Sequence, residues 1–181
     1  MRRLAALLAL LALSGCGYTL EGRGIAQDPS IKKIGVPLFK DTTGKPGLDQ
    51  KVTEQVIAAL LKRGHFDVVQ DANGVDALVE GTITNYRANP VGFSNEGGAT
   101  SGGGKNKNIE ASRYAVVLTV AVKYSKPGVT EPIWQTEQLS VRDETDVGDD
   151  PTAFFDREDQ VIDRLALNLA KTLVSQMLEA F

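Results

Sequence analysis

The sequence predicts an α+β domain in which two helices pack on one face of a four-stranded mixed sheet. Several stretches between residues 31 and 142 alternate apolar and polar side chains, as strands do. Two other stretches repeat their apolar residues at helical spacing, and the order is strand-helix-strand-strand-strand-helix. The chain has 181 residues, of which 42% are hydrophobic and 24% charged. This composition is typical of a folded protein, and we expect one domain over residues 31–181.

The N-terminus has the pattern of a secretion signal over residues 1–15. Met1, Arg2 and Arg3 precede a Leu/Ala run over residues 4–13, which is too short to cross a bilayer as a helix. Leu13-Ser14-Gly15-Cys16 then resembles the bacterial lipobox, and this resemblance implies that Cys16 begins the mature chain and carries lipid. Gly17 follows it in place of the aspartate that commonly retains lipoproteins at the inner membrane. We therefore expect an anchor on the periplasmic side of the outer membrane, joined to the domain by a tether over residues 16–30.

The first half of the domain is predicted to contain a strand, a helix and a further strand. Ile34, Val36 and Leu38 alternate with other residues in a strand over 31–39. Pro37 lacks an amide donor, so we expect this strand either at an edge or with its end outside the sheet. Pro46 suits the first position of a helix that carries Leu48, Val52, Val56, Ala59 and Leu60. Residues 66–70 indicate a short strand or strand start. Extended structure is predicted again over residues 77–86.

The second half is predicted to contain two paired strands and a long closing helix. Residues 89–108 are rich in Gly, Ser and Asn and lack periodicity, so we expect a mobile loop. Strict alternation over residues 113–124 predicts a strand, which Pro127-Gly128 connects to an antiparallel strand over 133–142. The final helix is predicted to begin at Pro151 and to continue nearly to Phe181. Its main apolar stripe is Val161, Ile162, Leu165, Leu169, Leu173 and Met177.

The residue inventory argues against several classes of function. Cys16 is the only cysteine and His65 the only histidine, so neither a thiolate zinc site nor a Ser/His/Asp arrangement can be argued. A formal net charge of -3 does not suit a general nucleic-acid binder, whose footprint is basic. We therefore expect no catalytic residues, no metal and no cofactor, and we interpret the chain as a protein that is not an enzyme.

A set of short patterns spread over the mature chain resembles one known family. These patterns are Cys16-Gly17-Tyr18-x-Leu20, Ile31-Lys32-Lys33-Ile34-Gly35-Val36-Pro37, Pro46-Gly47-Leu48, Gly81-x-Ile83-x-x-Tyr86, Arg113-Tyr114 and Phe154-Phe155-Asp156-Arg157-Glu158. Their order and the lipidated start are similar to the lipopolysaccharide-assembly lipoprotein family, LptE. The family's fold, two helices against a four-stranded sheet, agrees with the predicted order of elements.

The resemblance implies a non-catalytic protein that plugs the lumen of an outer-membrane β-barrel, LptD, and helps lipopolysaccharide to reach the outer leaflet. In the family, basic residues that touch the lipid lie between central strands and near the start of the last helix. The matching neighbourhoods of this sequence hold Lys105, Lys107, Arg113 and Arg157. These four residues are the candidate lipopolysaccharide contacts.

Two apolar surfaces are candidates for contact with a barrel wall. One is the second face of the strand over 113–124, with Ala115, Val117 and Thr119; the other is Leu167, Val174 and Leu178, opposite the main stripe of the last helix. The alternatives are cover by the tether and scattered exposure, and the family resemblance favours the contact with a barrel. The alternative function is a periplasmic lipoprotein that activates a peptidoglycan synthase. A lipid-anchored hydrolase is a third class, and the sequence assembles no nucleophile for it.

Overall fold

The computed structural model describes residues 28, 30–63, 66–95, 109–148 and 152–179, and this part of the chain forms six strands and two helices. The elements, in order, are β1 (Lys33–Gly35), β2 (Lys40–Asp41), α1 (Leu48–Lys62), β3 (Asp67–Val69), β4 (Ala77–Asn95), β5 (Ile109–Ser125), β6 (Trp134–Asp146) and α2 (Ala153–Glu179). The predicted signal peptide and nearly all of the predicted tether lie outside the described residues.

The strands form one mixed sheet in the order β3-β1-β4-β5-β6, and β2 pairs with β4 farther along that strand. β1 is parallel to β3 and β4, and β2 is parallel to β4, whereas β4, β5 and β6 are antiparallel. β1 lies between β3 and β4, so the predicted edge position is wrong for it, whereas the end of the predicted strand at Pro37 does lie outside β1. The predicted α+β class with two helices and a mixed sheet is confirmed. The predicted count of four strands is wrong, because the described residues form six.

The extra strands have identifiable causes in the sequence. The amide of Val36 still donates to the carbonyl of Val69 at 2.8 Å, but Pro37 has no amide hydrogen, so the predicted strand over 31–39 divides into β1 and β2. The stretch after α1, which the sequence marks as a short strand, is the separate edge strand β3. One apolar pattern in the sequence therefore corresponds to two short strands in the structure.

The predicted loop over 89–108 begins too early. β4 continues to Asn95, and its pairing with β5 extends from Leu78↔Ser125 to Asn95↔Ile109 with three irregularities. Residues 89–95 are therefore strand, and 96–108 lie outside the described residues. Glycine and asparagine weaken the sequence signal here, but the hydrogen bonds donated and accepted by β5 are independent of side-chain periodicity.

Both helices contribute to a single core on one face of the sheet. The predicted apolar positions Leu48, Val52, Val56 and Leu60 of α1 are at most 1% exposed, and the predicted stripe of α2 is at most 2% exposed. Lys51 Nζ lies 2.7 Å from Asp163 Oδ1, and Arg63 Nη2 donates to Ser175 Oγ at 2.8 Å. Because these two contacts join successive positions of both helices in the same order, α1 and α2 run parallel.

Gly81 in β4 leaves room for the ring of Phe39. A Cβ atom at Gly81 would lie only 2.1 Å from Cε2 of Phe39, whose side chain is 2% exposed. The amide of Phe39 donates to Thr53 Oγ1 at 3.0 Å, which fixes the segment before β2 against α1. The absence of a side chain at Gly81 is therefore a packing requirement, which accounts for the glycine in the Gly81-x-Ile83-x-x-Tyr86 pattern.

Candidate functional site

Two arginines that are distant in sequence converge on Asp146 at the end of β6. Arg113 Nε, on β5, donates to Asp146 Oδ1 at 2.6 Å, and the guanidinium of Arg157, on α2, donates to the backbone carbonyl of Asp146. The hydrogen bond with Asp146 raises the pKa of Arg113 above its usual value. Two of the four predicted lipid-contacting residues therefore lie together and are both cationic.

Acidic side chains partly neutralise this pair of arginines. Glu144 Oε2 lies 3.7 Å from Arg113 Nη1, and Glu144 Oε1 accepts from Arg142 Nη2 at 2.7 Å. The sequence analysis assigned no function to Asp146 or Glu144. The signal that reveals them is the register of β5 with β6, which pairs Arg113 with Asp146 and Ala115 with Glu144. An anion that binds these arginines must compete with carboxylates of the protein itself.

Exposed aromatic side chains lie at the same end of the molecule. Phe155 is 73% exposed and packs edge-on against buried Phe154, with ring centroids 5.9 Å apart, while Phe154 stacks on Tyr114 at 4.7 Å. On β4, Phe93 is 57% exposed and follows Gly92, which is paired with Arg113. We call this region, which comprises Arg113, Asp146, Arg157, Phe93 and Phe155, the arginine end. It combines cationic groups with uncovered apolar surface.

The predicted contact residues of β5 lie on the sheet face turned away from the core, which we call the outer face. Val117 and Thr119 are part-buried there, and Thr119 Oγ1 lies 2.8 Å from Ser140 Oγ on β6. Ala115 is 3% exposed, so neighbouring side chains of this chain already cover it. The expectation that Ala115 forms open apolar surface is therefore wrong, whereas Val117 and Thr119 remain partly accessible.

The predicted apolar surface of α2 is largely internal. Val174 is 1% exposed and Leu178 is 5% exposed, and both belong to the core; Leu167 is part-buried. The expectation that Val174 and Leu178 lie on an open face is wrong. Because α2 packs against the sheet and against α1 at once, its buried arc is wider than a single stripe.

A part-buried polar cluster ties β4 to the start of both helices. Tyr86 Oη donates to Glu158 Oε1 at 2.8 Å, and Lys45 Nζ lies 2.7 Å from Glu158 Oε2 and 5.8 Å from the centre of the Tyr86 ring. Burial, followed by the bond to Glu158, raises the pKa of Tyr86. Every polar group of the cluster has a partner, so the cluster links β4 to the start of α2 and to the segment before α1.

Three predicted site residues, Cys16, Lys105 and Lys107, lie outside the described residues. In the part of the chain that the structure describes, neither helix has both the length and the apolar character needed to cross a membrane. No group of three or more His, Cys, Asp or Glu side chains in that same part is arranged to hold a metal ion.

Comparison with known proteins identifies one family. The model of the LptE family, described as lipopolysaccharide-assembly, matches residues 31–177. Rare lipoprotein B from Shewanella oneidensis has a similar structure, with 14% identity, a TM-score of 0.50 and coverage of 82% of this chain and 96% of that chain. A protein of Xanthomonas campestris is also similar, with 10% identity, a TM-score of 0.52 and coverage of 82% and 84%. At such identities the likeness shows the fold alone. No curated protein sequence matches the chain.

Proposed function

The chain belongs to the LptE family of lipopolysaccharide-assembly lipoproteins, and on that premise we propose that it forms a complex with an outer-membrane β-barrel of the LptD type. The observation that carries this proposal is the family match over residues 31–177, which spans all six strands, α1 and nearly all of α2. In this proposal Cys16 carries the lipid that anchors the chain to the periplasmic side of the outer membrane. The chain acts there without catalysis and assists lipopolysaccharide assembly.

The outer face of the sheet is the proposed contact with the barrel. Both helices share their core with the other face, and among the described residues no helix covers the outer face. Val117 and Thr119 lie on this face: Thr119 is paired with Asn85 of β4 and Ser140 of β6, and Val117 with Arg87 and Arg142. A part-buried apolar position gains from desolvation when another protein covers it, and arginine is among the residues enriched in protein interfaces.

The arginine end is the proposed contact with lipopolysaccharide, together with Lys105 and Lys107 of the segment between β4 and β5. Guanidinium groups bind phosphate oxygens through charge-assisted hydrogen bonds, and the exposed rings of Phe93 and Phe155 offer apolar surface for acyl chains. Asp146 holds Arg113 and Arg157 near one another before the lipid arrives. Its carboxylate also competes with the lipid phosphate for Arg113.

Competition between Asp146 and the lipid phosphate predicts that two kinds of variant change the affinity for lipopolysaccharide in opposite directions. The double variant Arg113→Glu/Arg157→Glu is expected to weaken binding of purified lipopolysaccharide to the full chain, because it reverses both cations. Asp146→Asn is expected to tighten binding about two- to fivefold, because it removes the competing charge but keeps a hydrogen-bonding oxygen. Binding is measured by titration in detergent at low salt.

Arg164→Glu is the matched control. Arg164 Nε lies 2.6 Å from Asp143 Oδ2, the same distance as Arg113 Nε from Asp146 Oδ1. The Arg164 side chain is 47% exposed and the Arg113 side chain is 50% exposed. The variant therefore loses a comparable ion pair that involves no residue of the arginine end and is expected to bind lipopolysaccharide like the wild type. Equal affinity of all four proteins would refute the proposed lipid contact. The family match does not favour the alternative activity as a peptidoglycan-synthase activator.

A further inference from the structure

A groove of about 330 Å³ lies between the C-terminal halves of α1 and α2. In the part of the chain that the structure describes, its lining residues all belong to these two helices and their ends: Gln55, Ala58, Ala59, Lys62, Arg63, Leu167, Lys171, Val174 and Ser175. The groove is on the helical side of the molecule, whereas the proposed barrel contact is on the outer face of the sheet. Neither the arginine end nor the outer face contributes a residue to it.

The floor of the groove is apolar and built largely from short side chains. Ala58 and Ala59 line it from α1, and Leu167 and Val174 line it from α2. Ala58, Ala59 and Leu167 are part-buried, so water reaches them beside the buried Val174. Small residues on a helix surface let the backbone of a further helix approach closely, with its side chains inserted between those of the groove.

The rim of the groove is cationic. Lys62, Arg63 and Lys171 line it, and among the described residues no acidic side chain does. The Arg63 guanidinium donates to Ser175 Oγ at 2.8 Å, and neither Lys62 nor Lys171 forms an ion pair with any described residue. Lys51, on the N-terminal half of α1, contrasts with them because it lies near both Asp159 and Asp163. A positive site without internal counter-charges is notable on a chain whose formal net charge is -3.

We propose that this groove is the docking site for an acidic amphipathic helix of a partner protein. One or two aliphatic side chains of that helix fill the apolar floor, and carboxylates on its flanks pair with Lys62, Arg63 and Lys171. This is the helix-in-groove mode of recognition, in which anchors repeat at i, i+3, i+4 and i+7. A volume of about 330 Å³ accommodates one or two such anchors and is too small for several acyl chains, which favours a protein segment over a lipid.

The test uses the full chain purified in dodecyl maltoside and two synthetic helical peptides of about 18 residues, five turns each. The acidic peptide carries leucines at i, i+3, i+4 and i+7 with glutamates on either side, and the control peptide has lysines in place of the glutamates. Binding is followed by fluorescence anisotropy of labelled peptide at two salt concentrations. We expect saturable binding of the acidic peptide alone, weakened by added salt.

Variants of the chain locate the binding. Lys62→Glu/Lys171→Glu is expected to weaken binding of the acidic peptide about tenfold or more, because both are exposed charges whose reversal replaces attraction by repulsion. Ala58→Phe fills the floor, keeps every charge and is expected to weaken binding similarly. Lys123→Glu, an exposed reversal on β5, is the matched control and is expected to bind like the wild type. Thermal unfolding of each variant shows that it is folded.

Three outcomes would overturn the proposal. The first is an absence of saturable binding of the acidic peptide to the wild type. The second is equal binding to the wild type and to Lys62→Glu/Lys171→Glu. The third is a double variant that no longer binds vesicles of anionic phospholipid but still binds the acidic peptide, a result that would assign the groove to lipid. The proposed barrel partner is tested separately, so failure of this inference leaves the proposed function intact.

Discussion

Substitution of Gly81 by alanine tests the packing on which the central strand of this fold depends. The added methyl carbon would lie 2.1, 2.3 and 2.5 Å from Cε2, Cδ2 and Cζ of Phe39. Nonbonded carbon atoms are in favourable contact at roughly 3.5–4.0 Å, so the ring must move by more than about 1 Å. Phe39 is 2% exposed and its amide is bonded to Thr53 Oγ1, so little free space is available for that movement.

The expected loss of stability follows from two opposing effects. Overpacking a core by one methyl group costs about 1–3 kcal/mol in the free energy of unfolding. Replacing glycine by alanine also restricts the unfolded chain, which returns about 0.4–1 kcal/mol. The net expectation is a destabilisation of about 1–2 kcal/mol. For a domain of this size, that change lowers the midpoint of thermal unfolding by about 2–8 °C.

Urea unfolding followed by circular dichroism measures this effect directly. Glu80→Ala, at the neighbouring exposed position of β4, is the control and is expected to stay within about 0.5 kcal/mol of the wild type. Combining Gly81→Ala with Phe39→Leu should cost less than the sum of the two single effects, because the smaller side chain leaves room for the methyl group. A Gly81→Ala protein as stable as the wild type would refute the packing argument, and strict additivity would refute the role of Phe39.

Two further predictions concern buried Tyr124 and part-buried Glu158. Burial raises the pKa of Tyr124 to about 12, whereas a tyrosine in the unfolded chain has a pKa of about 10. The free energy of unfolding is therefore expected to fall as the pH rises above about 10. Urea titrations at about pH 9 and about pH 11 measure this fall, and Tyr124→Phe should reduce it. Glu158→Ala removes the partner of Lys45 and Tyr86 and is expected to lower the free energy of unfolding by about 1–3 kcal/mol. Asp159→Ala is the control: the Asp159 side chain is 86% exposed, so the variant should stay within about 0.5 kcal/mol of the wild type. Equal effects of the two substitutions would contradict the structural role of the cluster.

Side-chain periodicity accounts for what the sequence predicts well. Strict alternation along β5 correctly assigns Val116, Leu118 and Val120 to the core, since a strand shows successive side chains to opposite faces. The apolar spacing of α1 and the main stripe of α2 likewise indicate their buried positions. These signals are local, and they are strong wherever one face of an element is buried and the other is solvated.

Features that depend on the neighbours of an element could not be predicted in the same way. The buried state of Val174 and Leu178 depends on the packing of α2 against both α1 and the sheet, and no local period specifies that arrangement. The extension of β4 to Asn95 depends on its pairing with β5. The meeting of Arg113 and Arg157 depends on the register that brings Asp146 opposite Arg113. Each of these is a tertiary relation between segments far apart in the sequence.

The proposed complex with a β-barrel is tested most directly by photo-cross-linking from the outer face in living cells. A benzophenone amino acid is placed at Val117 in the full chain, and at exposed Gln160 on α2 for comparison. The account predicts an adduct between position 117 and an outer-membrane β-barrel protein of lipopolysaccharide assembly, in higher yield than from position 160. A folded, membrane-localised chain that forms no such adduct from position 117 would contradict it.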